Sequence, residues 1–246
     1  MLKVLGICGS PRDGNSKYLL EEALEAAKSI PQFEVFTDYY SVRGKKLAPC
    51  VMCQKCADNG GVCIIKDDFN EFVEKWIEAD VVLYSVPVYH MGIPAQLKAA
   101  LDRLGNSLFG RYSKNFSPEA VTLPKSLKVI GAIAQGAHVF SGQEHTITDL
   151  INHALIMGCV PVTGDMWEAY IGAGGWTYND IDRNAIKKQV AENKFDALVA
   201  VKASRALAKR AVELAGLLKA GARVQSEYLK KDPVYIPLLE RLAVSE

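Results

Sequence analysis

Residues 2–17 read LKVLGICGSPRDGNSK, and this stretch decides the fold. The apolar run from Leu2 to Cys8 predicts a buried strand, and residues 9–16 predict a loop that ends in helix-start residues. Such a loop directs backbone N–H groups and the positive end of a helix dipole at one place, which suits a phosphate. Gly14 lets the backbone approach closely. The polar side chains that add donors or charge are Ser10, Arg12, Asn15 and Ser16.

Two familiar nucleotide-binding loops are excluded by their glycine patterns. The sequence has no G-x-x-x-x-G-K-[ST], and Gly6, Gly9 and Gly14 do not form G-x-G-x-x-G. A nucleoside triphosphate or a dinucleotide is therefore disfavoured, and one terminal phosphate is the predicted ligand. The residues leave one alternative open, an ordinary first turn of an α/β domain in which Asn15 or Ser16 caps the helix.

Composition indicates a globular chain without a nucleic-acid or membrane partner. Hydrophobic residues make up 49% of the 246 residues, and 29 basic against 28 acidic residues leave a net charge of +1. No apolar run reaches the roughly 18 residues that span a membrane, and the charged helix after the first loop argues against a signal peptide. We expect a cytoplasmic protein whose six cysteines are thiols or metal ligands rather than disulfides.

Four of the cysteines form a C-x2-C-x2-C-x6-C pattern, namely Cys50, Cys53, Cys56 and Cys63. Thiols so close in sequence converge only if the chain wraps around a centre, and the usual centres are a cubane iron-sulfur cluster and a zinc ion. Two successive x2 intervals favour the cluster, because structural zinc sites usually take their ligands in pairs. Residues 59–61, NGG, supply a turn that returns the last cysteine. Zinc stays open as an alternative, and so do four cysteines that are unligated or paired in disulfides.

The remaining hydrophobic patterns alternate between strands and helices. Further strands are predicted at residues 34–40, 81–86, 127–134 and 160–167. Helices are predicted at residues 16–29, 67–79 and 142–157 and in two stretches after residue 180, the second covering residues 194–222. This order predicts an α/β fold with a doubly wound parallel sheet of five strands in the order 2-1-3-4-5, which binds its ligand at the carboxyl ends of strands 1 and 3.

Two segments show no clear periodic spacing of hydrophobic residues. Residues 105–126 contain prolines and predict a long loop, and residues 172–176, GAGGW, predict a flexible loop near the ligand. We expect one domain over residues 1–220, with the cysteine loop (residues 47–64) inserted after strand 2. A helical tail over residues 221–246 is expected to contact a neighbouring subunit.

A second motif, PVYHMGIPAQLKAALDR, follows the third strand at residues 87–103. Together with GSPR-x-GNS at residues 9–16, it resembles the flavodoxin-like NAD(P)H-dependent FMN reductases, whose pattern is close to P-V-Y-x-x-x-x-P-A-x-L-K-x-x-x-D-R. The compact cysteine motif resembles the iron-sulfur flavoproteins. Ile64 follows the last cysteine where the ferredoxin motif has proline, which argues against a ferredoxin domain but not against a cluster.

This resemblance implies a flavodoxin-like domain that holds FMN and a [4Fe-4S] cluster. The FMN phosphate is expected at Ser10, Arg12, Asn15, Ser16 and Lys17. The flavin ring is expected against Pro87, Val88, Tyr89, His90, Met91 and Gly92, with an accessible N–H on Gly92, and the pyrimidine edge of the ring is expected at Gln135 and Gly136. The cluster is expected on Cys50, Cys53, Cys56 and Cys63.

The expected function is electron transfer between FMN and the cluster, which requires no catalytic acid or base. The resemblance implies ferredoxin or NAD(P)H as the electron donor and a homodimer or homotetramer with the cysteines near a subunit boundary. Two alternatives stay open. One is an NAD(P)H-dependent FMN or quinone reductase whose cysteines bind zinc or nothing. The other is a non-enzymatic flavin-binding module that senses redox state or metal.

Overall fold

Strands and helices alternate along the computed structural model, which describes residues 1–115 and 123–243. The strands are β1 (Leu2–Cys8), β2 (Val35–Ser41), β3 (Val81–Pro87), β4 (Val129–Gly136), β5 (Val160–Pro161) and β6 (Ala173–Trp176). The helices are α1 (Asn15–Lys28), α2 (Lys55–Asp58), α3 (Phe69–Glu78), α4 (Ala95–Tyr112), α5 (Gln143–Ile156), α6 (Ala185–Ala191), α7 (Phe195–Val224), α8 (Ser226–Leu229) and α9 (Ile236–Ala243). Single 3-10 turns lie at Ser113–Asn115, Trp167–Ala169 and Pro233–Tyr235.

The sheet is parallel, and its strand order is β2-β1-β3-β4-β5, so the predicted order 2-1-3-4-5 is confirmed. Successive side chains of a strand point to opposite faces, and both faces of β3 are covered by helices. Val82 and Tyr84 pack in the core formed with α3, α4 and α5. Val81 and Leu83 pack in the core formed with α1 and α7. This two-sided burial explains why β3 is an uninterrupted apolar run.

The carboxyl half of β4 pairs with a sixth strand where the sequence predicted a flexible loop. β6 lies parallel to β4, from Ile133 opposite Ala173 to Gly136 opposite Trp176. The glycines that suggested flexibility serve close packing instead, because a Cβ on Gly172 would lie 2.6 Å from the Ala132 carbonyl oxygen. The prediction of a loop at residues 172–176 is therefore wrong. The strand predicted at residues 160–167 is also too long. β5 ends at Pro161 and pairs only with the start of β4, and β6 pairs with the end of β4.

Helix α4 continues to Tyr112, although residues 105–126 were predicted to be a loop. Glycine disfavours helix, and Gly105 and Gly110 obscure the apolar period there. Gly110 is required by packing, because a Cβ at that position would lie 2.5 Å from the Cys56 carbonyl oxygen. The prediction is wrong as far as residue 112, and residues 116–122 lie outside the described part of the chain.

The C-terminal tail folds back on its own chain at the amino edge of the sheet. The Arg241 guanidinium is buried and donates to the Ser126 carbonyl oxygen at 2.6 Å, and its Nε lies 3.5 Å from Asp80 Oδ1. Lys219 Nζ lies 2.9 Å from Asp80 Oδ2. The boundary predicted at residue 220 falls inside α7, and contact of the tail with another subunit stays a prediction. No helix among the described residues is long and apolar enough to cross a membrane.

Candidate functional site

Four loops meet at the carboxyl edge of the sheet because each follows a parallel strand. They are the first loop (residues 9–14) after β1, the Tyr89 hairpin (residues 88–92) after β3, the β4 loop (residues 137–142) and the β6 segment (residues 177–184). Hydrogen bonds connect them. The Val88 N–H donates to the Gln135 carbonyl oxygen at 2.8 Å, and the Asn179 N–H donates to the Ala137 carbonyl oxygen at 2.8 Å. The residues predicted to bind FMN therefore come together at one edge of the sheet.

The first loop is shaped by its own serine. Ser10 Oγ is buried, donates to the Arg12 carbonyl oxygen at 2.6 Å and accepts from the Arg12 N–H at 3.2 Å. The Arg12 side chain is exposed, and Lys17 Nζ lies 3.6 Å from Asp13 Oδ1. The first N–H groups of α1, which begins at Asn15, have no acceptor within the helix. The loop thus presents backbone donors and positive charge together.

The side chain of Asn15 does not serve as a free donor, which corrects the prediction for this residue. Its Nδ2 donates to the Asp182 carbonyl oxygen at 3.1 Å, and its Oδ1 accepts the Ile186 N–H at 3.0 Å. A Cβ on Gly14 would lie 3.3 Å from the Arg183 carbonyl oxygen, so Gly14 permits the close approach of this same segment. Asn15 can still offer its backbone N–H to a phosphate, while its side chain holds the β6 segment against the first loop.

The Tyr89 hairpin is a tight turn in which His90 and Met91 have φ values of 47° and 69°. Left-handed backbone in two consecutive residues is typical of a two-residue hairpin turn, usually built from Asn and Gly. The Tyr89 N–H and the Gly92 N–H each donate to the other residue's carbonyl oxygen at 3.0 Å. The expectation of an accessible N–H on Gly92 is therefore wrong. The side chains of Tyr89, His90 and Met91 are exposed at the edge of the site.

Gln135 and Gly136 lie where β4 ends, between the hairpin and the β6 segment. A Cβ on Gly136 would lie 2.4 Å from Ser141 Cβ, so only glycine fits the turn that follows. Gln143 Nε2 donates to the carbonyl oxygens of His138 at 2.8 Å and Gly175 at 3.2 Å. These bonds fix the β4 loop against β6.

The β6 segment is the part of the site that the sequence did not predict. Its residues carry no nucleotide motif, and the contact between Asn15 and Asp182 joins positions 167 residues apart. The segment brings Arg183 beside Gly14 and supplies exposed Tyr178, whose ring centroid lies 6.0 Å from that of Trp176. The available signal in the sequence was the pair of aromatic residues Trp176 and Tyr178 at the end of a glycine-rich stretch.

The cysteine loop packs on the second half of α4, and its four predicted ligands line one cavity. Cys50, Cys53, Cys56 and Cys63 line it together with Arg103, Asn106 and Ser107 of α4. Met52 and Gln54 flank Cys53 with φ values of 52° and 60°, so the chain winds tightly around the cavity. A Cβ on Gly61 would lie 2.5 Å from the Ser107 carbonyl oxygen, which shows how closely the loop approaches the helix.

The Cys50 sulfur has two hydrogen-bond donors nearby. The Met52 N–H donates to Cys50 Sγ at 3.4 Å, and Asn106 Nδ2 lies 3.7 Å from the same sulfur. Among residues 1–115 and 123–243, no group of three or more His, Cys, Asp and Glu side chains could hold a single metal ion. A four-iron cube does not require such a point, because each thiolate binds a different iron atom. The donor set, four cysteine sulfurs on one cavity, therefore fits a cluster.

The base of the cysteine loop is held by a buried ion pair between Arg103 and Asp67. Arg103 Nη1 donates to Asp67 Oδ2 at 2.6 Å and to the Ala48 carbonyl oxygen at 3.2 Å. Burial alone would raise the pKa of Asp67, but hydrogen bonds from Arg103 and from the amides of Ala48 and Phe69 outweigh it, so the pKa lies below its ordinary value. Arg103 therefore connects the segment before Cys50 to the segment after Cys63.

The other two cysteines lie outside this cavity and differ from the four in chemistry. Cys8 and Cys159 are buried in the core on opposite faces of the sheet. Burial raises the pKa of the Cys8 thiol and raises the pKa of Cys159 to about 11. Both thiols therefore stay protonated near neutral pH, and neither was predicted to bind metal.

A family model described as NADPH-dependent FMN reductase matches residues 2–169. The chain belongs to this family. An iron-sulfur flavoprotein of Methanocaldococcus jannaschii is 34% identical over 219 residues, which cover 89% of this chain and 100% of that protein. An iron-sulfur flavoprotein of Methanosarcina thermophila is 36% identical over 189 residues, which cover 76% of this chain and 88% of that protein.

A solved structure gives the same fold at lower identity. RosB with bound 8-demethyl-8-formylriboflavin-5'-phosphate has a TM-score of 0.62 and 15% identity, over 94% of this chain and 88% of that chain. The predicted family resemblance and the flavodoxin-like fold are therefore confirmed. As a member of the FMN reductase family, the protein is a flavin-dependent oxidoreductase.

The contacts of Asn15 lead to a prediction about stability. Asn15→Ala should lower the free energy of unfolding by about 1–3 kcal/mol, because the buried Ile186 N–H loses its acceptor. It should also speed hydrogen exchange at that amide. Denaturant unfolding and hydrogen-exchange mass spectrometry measure both effects. The control is Asn184→Ala, at an exposed position of the same segment, and equal stability of the two variants would contradict the prediction.

Proposed function

We propose that this protein is an iron-sulfur flavoprotein that transfers electrons between FMN and a [4Fe-4S] cluster. The observation that carries the proposal is the single cavity lined by Cys50, Cys53, Cys56 and Cys63 in a member of the FMN reductase family. FMN exchanges electrons in pairs or singly and a cluster exchanges them singly, so together they supply conversion between the two. The names of the archaeal relatives support the same assignment.

The residues proposed to hold FMN follow from the geometry of the first loop and the hairpin. Backbone N–H groups at the start of α1, with Ser16, Arg12 and Lys17, would hold the phosphate. Ser10 would shape the loop through its two hydrogen bonds with the Arg12 backbone, which use its hydroxyl hydrogen. Residues 87–92 would present aromatic and soft apolar side chains to the ring, and Gln135 and Gly136 would lie at its pyrimidine edge. Asn15 would act through its backbone N–H and by holding the β6 segment in place.

The chain's own contribution to electron transfer is position and charge. The two cofactor regions lie along one helix, since the Tyr89 hairpin precedes α4 and the cysteine loop packs on its second half. Ala95 and Asn106 are separated by about 16 Å at 1.5 Å per helical residue. No side chain is assigned as a catalytic acid or base. NAD(P)H or a ferredoxin is the proposed electron donor, as the family description supports for NAD(P)H.

A groove between α4 and α5 supports the proposal that the protein is a homodimer or homotetramer. The groove has a volume of about 570 Å³ and includes Asn106, which also lines the cysteine cavity. At its other end Asp149 Oδ2 lies 3.9 Å from the position of a Cβ on Gly92. Exposed Phe109 and Ile156 lie along it, and an apolar surface of this kind is typical of interfaces. A second copy on this face would lie over both cofactor regions.

The state of the cysteines supports a reducing compartment. All six cysteines are free thiols in the structure. Free thiols persist in the cytoplasm, where disulfides are rare. We therefore propose that the protein is cytoplasmic.

The cofactor should be FMN, because the first loop presents donors for one phosphate and lacks the dinucleotide glycine pattern. Acid release and chromatography should recover FMN, and recovery of mainly FAD would contradict the proposal.

Ser10→Leu should weaken FMN binding at least about tenfold, or about 1.4 kcal/mol, since it removes the buried hydroxyl that shapes the loop. Flavin fluorescence titration measures this change. Ser29→Leu, at the exposed far end of α1, is the control.

Cys53→Ala should remove the cluster and leave FMN bound. Iron and sulfide content should fall towards zero, and the broad visible absorbance should give way to flavin bands alone. Cys159→Ala is the control, because that thiol is buried outside the cysteine cavity. Full iron content in Cys53→Ala would refute the ligand assignment. If wild-type protein purified anaerobically contains FMN but no iron, the alternative of a reductase without a cluster would replace the proposal.

Sedimentation velocity of the protein with both cofactors should show a dimer or a tetramer. The double substitution Phe109→Glu and Ile156→Glu should shift it towards monomer, because charges in the groove would be buried without partners. Leu217→Glu, at an exposed position of α7, is the control. An active monomer as the only species would overturn the interface proposal and leave the cofactor assignments intact.

A further inference from the structure

Arg103 is buried between α4 and the cysteine loop, and its three nitrogens have different surroundings. The residue is 2% exposed. Nη1 donates to Asp67 and to the Ala48 carbonyl oxygen, and Nη2 lies 3.5 Å from the Ile65 carbonyl oxygen. The guanidinium carbon lies 4.0 Å from the centroid of the Phe69 ring, which fixes the plane of the group. The orientation of Arg103 is therefore set on several sides.

The remaining nitrogen, Nε, has no such contact. Its N–H is buried and meets no acceptor in hydrogen-bonding geometry among the described residues. An unsatisfied buried donor costs about 1–3 kcal/mol, and one on a charged group costs more. Arg103 also lines the cavity of the four cysteines, and its guanidinium lies beside the Cys63 thiol. An unpaired cationic donor in a cavity of thiols indicates an acceptor that carries negative charge.

We propose that Arg103 donates its Nε–H to the sulfur of Cys63 when the cluster is bound, and that this charged hydrogen bond raises the reduction potential of the cluster. The inference rests on the proposed function, because it assumes a cluster on the four cysteines. It makes Arg103 a positioning residue with a second, electrostatic role, since the Nη groups hold the loop and Nε faces the sulfur.

Asp67 offsets part of the charge of Arg103. Its carboxylate binds the Nη1 side of the guanidinium, so the ion pair is nearly neutral as a whole. The Arg103 guanidinium nevertheless lies beside the Cys63 thiol on the same cavity. Reduction adds negative charge to the cluster and its thiolates, and a buried donor stabilises the more negative state more strongly. Hydrogen bonds to cluster sulfurs are among the factors that set cluster potentials.

The first test is a redox titration of the cluster followed by electron paramagnetic resonance. In Arg103→Gln the equilibrium constant for cluster reduction should fall at least about tenfold, which is about 59 mV for one electron, while the FMN potential stays unchanged. Arg111→Gln removes the same charge from an exposed position of α4 that does not line the cavity, and it should leave both potentials unchanged. A wild-type cluster potential in iron-loaded Arg103→Gln would overturn the proposal.

A second measurement uses wild-type protein and does not depend on how the variant folds. Protein labelled with ¹⁵N-arginine and reduced by one electron should show a ¹⁵N hyperfine coupling to the cluster in a pulsed resonance experiment. A cluster signal without this coupling would overturn the role of Arg103 and leave the proposed function standing. Absence of iron and of any cluster signal in anaerobically purified wild-type protein would overturn the proposed function itself. The two failures are therefore distinguishable.

Discussion

The parallel pairing of β1 with both β2 and β3 is the constraint on which the rest of the structure depends. Parallel strands need crossover connections, so every loop that follows a strand leaves the sheet at the same edge. Because β1 lies between β2 and β3, the first two crossovers run in opposite directions and open a crevice at the carboxyl ends. The first loop, the Tyr89 hairpin and the cysteine loop all follow strands of this trio. Their presence at one edge is a consequence of topology, before any side-chain contact is considered.

Helix α4 then relates the proposed FMN region to the proposed cluster region. The Tyr89 hairpin ends just before the helix begins at Ala95, and the cysteine loop lies against Arg103 to Gly110. A helix has a fixed rise per residue and changes length little, so the distance between the two regions does not depend on the conformation of a long loop. Close contacts at Gly61 and Gly110 leave no room for a shifted register between the cysteine loop and α4. The position of the cysteines is thus encoded partly in a helix that carries none of them.

The sequence predicted those features that depend on local pattern. Strands β1, β3 and β4, the first loop and the cysteine motif each produce a signal within one short stretch of sequence, and the alternation of strands and helices then predicted the strand order. The features it missed depend on partners distant in the chain. Asn15 contacts Asp182 across 167 positions, and Arg103 contacts Asp67 across 36. Gly110 of α4 and Gly175 of β6 lower the local propensity, whereas their role is to let another segment approach.

Left-handed backbone at non-glycine residues is concentrated in three loops of the proposed site. Among residues 1–115 and 123–243, eight non-glycine residues have positive φ. Met52 and Gln54 lie in the cysteine loop, His90 and Met91 in the hairpin, and Tyr178 and Asn179 in the β6 segment. Each such residue costs about 1–3 kcal/mol and persists only where its surroundings fix it. Here the hydrogen bonds between Val88 and Gln135 and between Asn179 and Ala137 do so. Leu127 and Asn193 lie outside these loops, so six of the eight residues lie in the cysteine loop, the hairpin and the β6 segment. Such a concentration is expected where contacts with neighbouring segments, and not local propensity, fix the shape of a loop.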